Sequence, residues 1–188
     1  PGSHFIGTTR IKKLNNSEIK KIKKILNTKK IKNIINIGGN GTLKQTIHLN
    51  NKLKDFNFAS CPKTVDNDLG DKTFEKVQYN PGFPSCVLIW KFFYDMLNIE
   101  NIGAHSHDKV IISQTFGRDT GFICGSIRLW DLKRRKPIML LLPEDKQPIK
   151  NIINYVKKKL KKFDRLLIFI SEGYKIGKIG SRRDKSGQ

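Results

Sequence analysis

The chain has 188 residues, with 37 Lys and Arg against 16 Asp and Glu and a formal net charge of +21, a length that supports one buried core. No apolar run approaches the roughly 20 residues that span a bilayer, and the opening PGSHFIGTTR is too polar for a signal peptide, so a membrane protein and a secreted one are both disfavoured. Three widely spaced cysteines, Cys61, Cys86 and Cys124, show neither a CxxC pair nor metal-ligand spacing, which fits a reducing, cytoplasmic setting without disulfides.

In chain order, Asn16 and Ser17 can cap a helix whose apolar residues Ile19, Ile22, Ile25 and Leu26 recur at helical spacing. Its lysines, and those of residues 156–163, alternate with apolar positions as the wet face of a helix does. The positive surplus is therefore expected to be solvated, and nucleic acid is not the expected partner. Residues 31–37 read as a short strand, 42–53 as a helix, and 56–61 as a strand closed by Pro62. A helix is expected over 83–97, followed by a loop containing Asn and Gly. A β-branched strand spans 109–116, a helix 121–132 and a strand 137–142. Ile149, Ile152, Ile153, Val156 and Leu160 mark one more helical face, and 166–170 is a strongly apolar last strand.

Strands alternating with helices predict a parallel sheet covered on both faces, and in such sheets ligands bind beyond the carboxyl ends of the strands. The residues just after the strands are 38–42, 62–68, 117–121, 143–144 and 171–174. These are the glycine-rich, polar and acidic parts of the sequence.

Two of these segments carry chemistry. In IGGNGT the glycines Gly38, Gly39 and Gly41 let backbone approach an anion, while successive N–H groups and a helix start supply positive potential. Thr42 can cap the helix or touch a phosphate; the plain alternative is an ordinary strand-to-helix turn. In CPKTVDNDLGDK, Asp66 and Asp68 are two residues apart, so an extended loop would project both to one side. One acid could take the proton of an attacking hydroxyl while the other organises a magnesium ion, with Thr64 holding the nucleophile or base. The alternative there is a turn rich in Asp and Asn.

GGNGT, PKTVDND, FGRDTGF and SEGY, in this order after successive strands, resemble the phosphofructokinase family. HDKVIISQTFGR and LLPED, and IGTTR near the start, are similar to further segments of that family, and the combination of PKTxDND with GRxxGF sets it apart from lipid kinases and NAD kinases. The resemblance implies a Rossmann-like, three-layer α/β fold with a parallel sheet, here one region over residues 1–188, incomplete at both ends as an internal piece of a longer chain. Residues 175–188 are expected to be a mobile loop or truncated edge.

The activity the resemblance implies is phosphoryl transfer from ATP to the 1-hydroxyl of fructose 6-phosphate, with Mg2+ as cofactor and homo-oligomeric or tandem-domain packing. Carried over by position, Asp66 would be the general base, Thr64 its partner, Asp68 the magnesium-linked acid and Arg118 a further catalytic group. Arg10, Gly39, Asn40, Gly41, Thr42 and Lys63 would face the phosphoryl donor, and Asn40 with Asp68 the metal. Phe116, Gly117, Arg118 and Glu172, with Thr64 and Asp66, would face the sugar phosphate, and Lys109 stands where the family often has an Arg reaching a neighbouring subunit's substrate. Gly41 replaces the second acid of the pyrophosphate-using members and leaves room for a nucleotide, whereas Lys63 also occurs in the pyrophosphate branch; ATP is the expected donor, with pyrophosphate the alternative. The sequence departs from the family at Asn40, where an Asp is usual, and at Gly82-Phe83-Pro84-Ser85-Cys86, where GF(D/Q)TA is usual. A degenerate regulatory or structural half of a tandem chain is therefore the second reading.

Overall fold

The computed structural model describes residues 14–70, 75 and 78–176. Arg10, expected at the phosphoryl donor, lies outside the described residues, as do residues 177–188 of the terminal basic segment. The chain divides into two compact units, Pro1–Lys63 and Thr64–Gln188. Both mix helices with strands, and each strand pairing among the described residues is parallel.

In the first unit, helix α1 (Asn16–Thr28) opens on a capping box. The Asn15 side chain accepts from the Glu18 N–H at 2.9 Å, and the Glu18 carboxylate accepts from the Asn15 N–H at 2.7 Å. The cap thus falls one residue ahead of the expected Asn16–Ser17 pair. Strand β1 (Asn33–Gly38), helix α2 (Asn40–Lys52) and strand β2 (Asn57–Pro62) follow. β1 and β2 pair from Asn33 opposite Asn57 to Gly38 opposite Pro62. Ile19 of α1 and Leu49 of α2 close with Leu53 and Phe56 over Ile34 and Phe58 of the strands. Both helices thus contribute to the same core, and alternation along the strand turns Ile35 and Ile37 the other way. They are 70% and 68% exposed. Among the described residues, the packed side of this first sheet is the one that carries Ile34 and Phe58.

The second unit runs α3 (Phe83–Gly103), β3 (Val110–Thr115), α4 (Phe122–Ser126) with a 3-10 turn over Ile127–Asp131, β4 (Ile138–Leu141), α5 (Ile149–Phe163) and β5 (Leu166–Ser171). The strand order is β3-β5-β4. Central β5 is apolar on both faces because both are packed. Leu167 and Phe169 meet Trp90 and Tyr94 of α3 and Ile123 and Cys124 of α4, while Leu166 and Ile168 meet Ile152 of α5. The parallel register ends all three strands at one edge, so residues 116–121, 142–146 and 172–176 gather there.

Two elements differ from expectation. α3 continues past residue 97 because Asn101 is fully buried and satisfied rather than a turn former. Its side-chain amide donates to the carbonyls of Asp108 and Lys109, and its oxygen accepts from Arg165 at 3.1 Å. The helix expected over 121–132 tightens after Ser126 because Asp131, also buried, draws the chain round on itself. Its carboxylate accepts from Arg128 at 3.2 Å and from the N–H groups of Arg135 and Lys136 at 2.9 and 3.2 Å. Among the described residues no helix is long and apolar enough to cross a membrane.

Candidate active site

In the first unit the bend after β1 is open. Gly39 precedes α2 without any side-chain cap, and the helix has no acid in its first turn. The leading N–H groups of α2 therefore keep their positive potential. The Lys63 N–H donates to the Gly38 carbonyl at 2.9 Å, which fixes Lys63 beside the bend. Gly39, Asn40, Gly41, Thr42 and Lys63, all expected at the phosphoryl donor, thus lie together in this unit. Asn40 is the first helical residue and is exposed.

In the second unit the loop holding Asp66 and Asp68 is not the extended run expected. Asn67, between them, sits at φ 55°, in the left-handed region. The acids nonetheless feel each other. Burial pushes the Asp66 carboxyl above its ordinary value of 3.8; the charges of Asp68 and Glu172 push the same way, and Arg118 opposes them. The Thr64 hydroxyl accepts from the Asp66 N–H at 3.2 Å, and the Thr120 hydroxyl donates to the Asp66 carbonyl at 2.6 Å. Arg118 pairs through Nε with Glu172 at 3.3 Å; both remain exposed enough to meet a ligand. Arg118 also lines a cavity of about 180 Å³ with Asp119, Pro143, Lys146, Gly173 and Lys175. Among the described residues, Asp68 Oδ1 is buried without a hydrogen-bond partner. A buried carboxylate oxygen left in that state is a hard oxygen donor, and its chemistry fits a divalent cation such as magnesium.

The phosphofructokinase family model matches residues 1–186. The chain belongs to the phosphofructokinase family. It is 25% identical over 175 residues to the ATP-dependent 6-phosphofructokinase of Staphylococcus aureus (strain JH9), covering 92% of this chain and 50% of that relative. The chain thus spans about half the length of the curated relatives it matches. Its fold is similar to that of a pyrophosphate-dependent phosphofructokinase from Nitrosospira multiformis, with a TM-score of 0.76 at 23% identity over 92% of this chain and 43% of the other. It is also similar to that of phosphofructokinase from Saccharomyces cerevisiae, with a TM-score of 0.64 at 16% identity over 90% of this chain and 25% of the other.

Other residues of this phosphofructokinase chain fall in place differently. Phe116, Gly117, Arg118 and Glu172 lie at the carboxyl edge of the three-stranded sheet, whereas Lys109 lies just before β3, at the opposite edge. There it forms an ion pair with Asp164. Gly82, at the start of the atypical GFPSC segment, bridges to Thr64, which brings the beginning of α3 beside the Asp66 loop.

Sequence reasoning missed four residues that hold this geometry. Glu144 accepts from the Gly121 N–H at 2.8 Å and so seats the start of α4. Thr120 grips the Asp66 carbonyl, while Asn67 and Asn80 shape the acidic loop from within. The signals were present: an Asn flanked by two acids suits a left-handed position, and Asn80-Pro81-Gly82 is a turn signature.

Gly173 joins two of the site's loops. Its N–H donates to the Gly117 carbonyl at 3.1 Å, and a Cβ there would stand 1.3 Å from the Arg118 carbonyl oxygen. Gly173→Ala is therefore expected to push residues 117–120 outward and to lower stability by about 1–3 kcal/mol, the usual cost of overpacking. A thermal melt with an unchanged midpoint would show that the backbone yields there freely.

Proposed function

We propose that the chain carries the phosphoryl-transfer site of an ATP-dependent 6-phosphofructokinase, which converts fructose 6-phosphate to fructose 1,6-bisphosphate in the cytoplasm. The observation that supports this best is the grouping of Asp66, Asp68, Arg118 and Glu172 in the second unit, with the Asp66 carboxyl held above its ordinary range. A base for a sugar hydroxyl needs to be close, dry and more basic than a free carboxylate.

In this reading Asp66 takes the proton of the 1-hydroxyl as its oxygen bonds to the terminal phosphorus of ATP, and the bond from that phosphorus to the ADP oxygen breaks. Arg118 offers a planar fork to the oxygens of the transferring group, and Glu172 accepts from sugar hydroxyls while orienting Arg118. On the donor side, the first N–H groups of α2, with Thr42 and Lys63, hold the phosphates. Each unit offers one candidate for magnesium, Asn40 in the first and Asp68 in the second; when bound, the ion would neutralise charge on the phosphates. Thr64 fixes the Asp66 backbone, and Lys109 serves a neighbouring subunit.

The deciding experiment is a coupled assay of the full-length protein with fructose 6-phosphate and either ATP or pyrophosphate. Turnover with ATP is expected; turnover with pyrophosphate alone would move the chain to the other donor class, and none with either would end the reading. One observation favours a regulatory or structural half instead: Asn40 is exposed and uncharged where the family usually has an acid. An amide oxygen binds magnesium without neutralising it. Asn40→Asp is accordingly expected to raise magnesium-dependent turnover several-fold and to lower the magnesium concentration for half-maximal rate. An unchanged or slower enzyme would clear Asn40 of being the weak ligand.

A further inference from the structure

The acidic loop is held by side-chain amides rather than by secondary structure. Asn80 is fully buried (0% exposed) and Asn67 nearly so (7%). The Asn80 side chain bonds both backbone groups of Leu69, accepting from its N–H at 3.0 Å and donating to its carbonyl at 2.5 Å. The Asn67 side chain accepts from the Asn80 N–H at 2.7 Å. This ring closes around Asn67 at φ 55°, a conformation few residues other than Gly and Asn adopt readily.

Both amides bond backbone groups of the loop and of its neighbouring turn. What they control is the path of the chain between Asp66 and Asp68: the left-handed turn at Asn67 sets the angle between the two acids, and the clamp on Leu69 fixes the residue after the second. From the other side, Thr64 and Thr120 hold Asp66 through its N–H and its carbonyl. The Asp66 backbone is thus gripped at both polar groups, and the Asp68 side of the loop depends on Asn80. Asn80 comes directly before Pro81 and Gly82, and Gly82 bridges to Thr64. The same short turn therefore meets the acidic loop at its start and at its end.

We propose that Asn80, acting through Leu69 and Asn67, is a positioning residue that keeps the Asp66 and Asp68 carboxylates in their working geometry. This deepens the kinase reading above and rests on it for its kinetic consequences. A misplacement of about 1 Å at a reacting group can cost about 100-fold in rate, and buried amides that satisfy backbone groups specify one conformation more sharply than they add stability.

The test compares the full-length parent with Asn80→Ala, Asn67→Gly and the double variant. Well below each variant's melting temperature, Asn80→Ala is expected to lower kcat about 100-fold while KM for fructose 6-phosphate stays within about threefold. Asn67→Gly keeps the left-handed backbone accessible but loses the acceptor, so its loss should be smaller. The double variant should be no worse than Asn80→Ala, because groups that act as one unit do not add. A residue that served stability alone would lower the melting temperature and leave kcat intact; that result overturns the proposal. Amide hydrogen exchange supplies a readout independent of turnover. Residues 65–70 should exchange at least tenfold faster in Asn80→Ala. If the parent proves inactive, the kinase reading falls; unchanged exchange would sink the loop-holding role by itself.

Discussion

If Asp66 is the general base proposed above, Asp66→Asn is expected to abolish turnover and to leave the protein at least as stable as the parent near neutral pH. Loss of a general base costs about 10²- to 10⁴-fold, and Asn cannot accept the hydroxyl proton. The stability half follows from the raised proton affinity of Asp66, whose causes are burial first and then the charges of Asp68 and Glu172. A carboxyl that binds its proton more tightly folded than unfolded stabilises the fold while protonated. That contribution is lost as pH rises from the ordinary value of 3.8 through the folded one. Above both values the parent carries a charge in a site that resists it, and Asn does not. Thermal melts at neutral pH should therefore favour the variant, with the gap closing at acid pH, while the acid limb of kcat/KM in the parent lies above 3.8. Retained turnover would remove Asp66 as the base. A variant that melts well below the parent at neutral pH would show that Asp66 holds the loop rather than straining it.

The second large effect is a switch of phosphoryl donor. Gly41 is exposed at the start of α2, and a Cβ built on it meets no atom within 4 Å. Gly41→Asp is thus expected to fold normally, the more so because an acid in the first turn suits a helix start that has none. Its carboxylate would occupy space beyond the phosphates that a nucleotide needs. The expected result is an ATP-dependent rate lower by about 100-fold, some 2.7 kcal/mol of lost transition-state stabilisation, with pyrophosphate-dependent turnover reduced far less or gained. Coupled assays with both donors read this directly. An ATP rate within about threefold of the parent would mean that residue 41 does not border the nucleotide.

Much of this was legible from residue patterns, and the exceptions have physical causes. The period of apolar residues located each helix and strand, because burial on one side of an element imposes its spacing. The glycine bend was legible because backbone freedom is written in residue type. Three other features were not. Ile35 and Ile37 look like core residues in a run of isoleucines, yet among the described residues α1 and α2 meet the strands through Ile34 and Phe58, and Ile35 and Ile37 stay exposed. Asn101 reads as a helix end but lies inside α3, because Arg165, far away in sequence, occupies its oxygen. At Asp66 the two-residue spacing suggested a shared side on an extended loop; the left-handed Asn67 replaced that geometry while keeping the acids electrically coupled. Local pattern reports what one element wants, and at Asn101 and Asn67 the outcome was decided by a partner farther along the chain.

The close fit of residue 173 against the main chain of residue 118 has a bearing on how these two segments can change shape. With no room for a methyl group between them, the segment that presents the guanidinium and the segment that presents the glutamate move as one mechanical part. A change of shape in either segment would then need a matching change in the other.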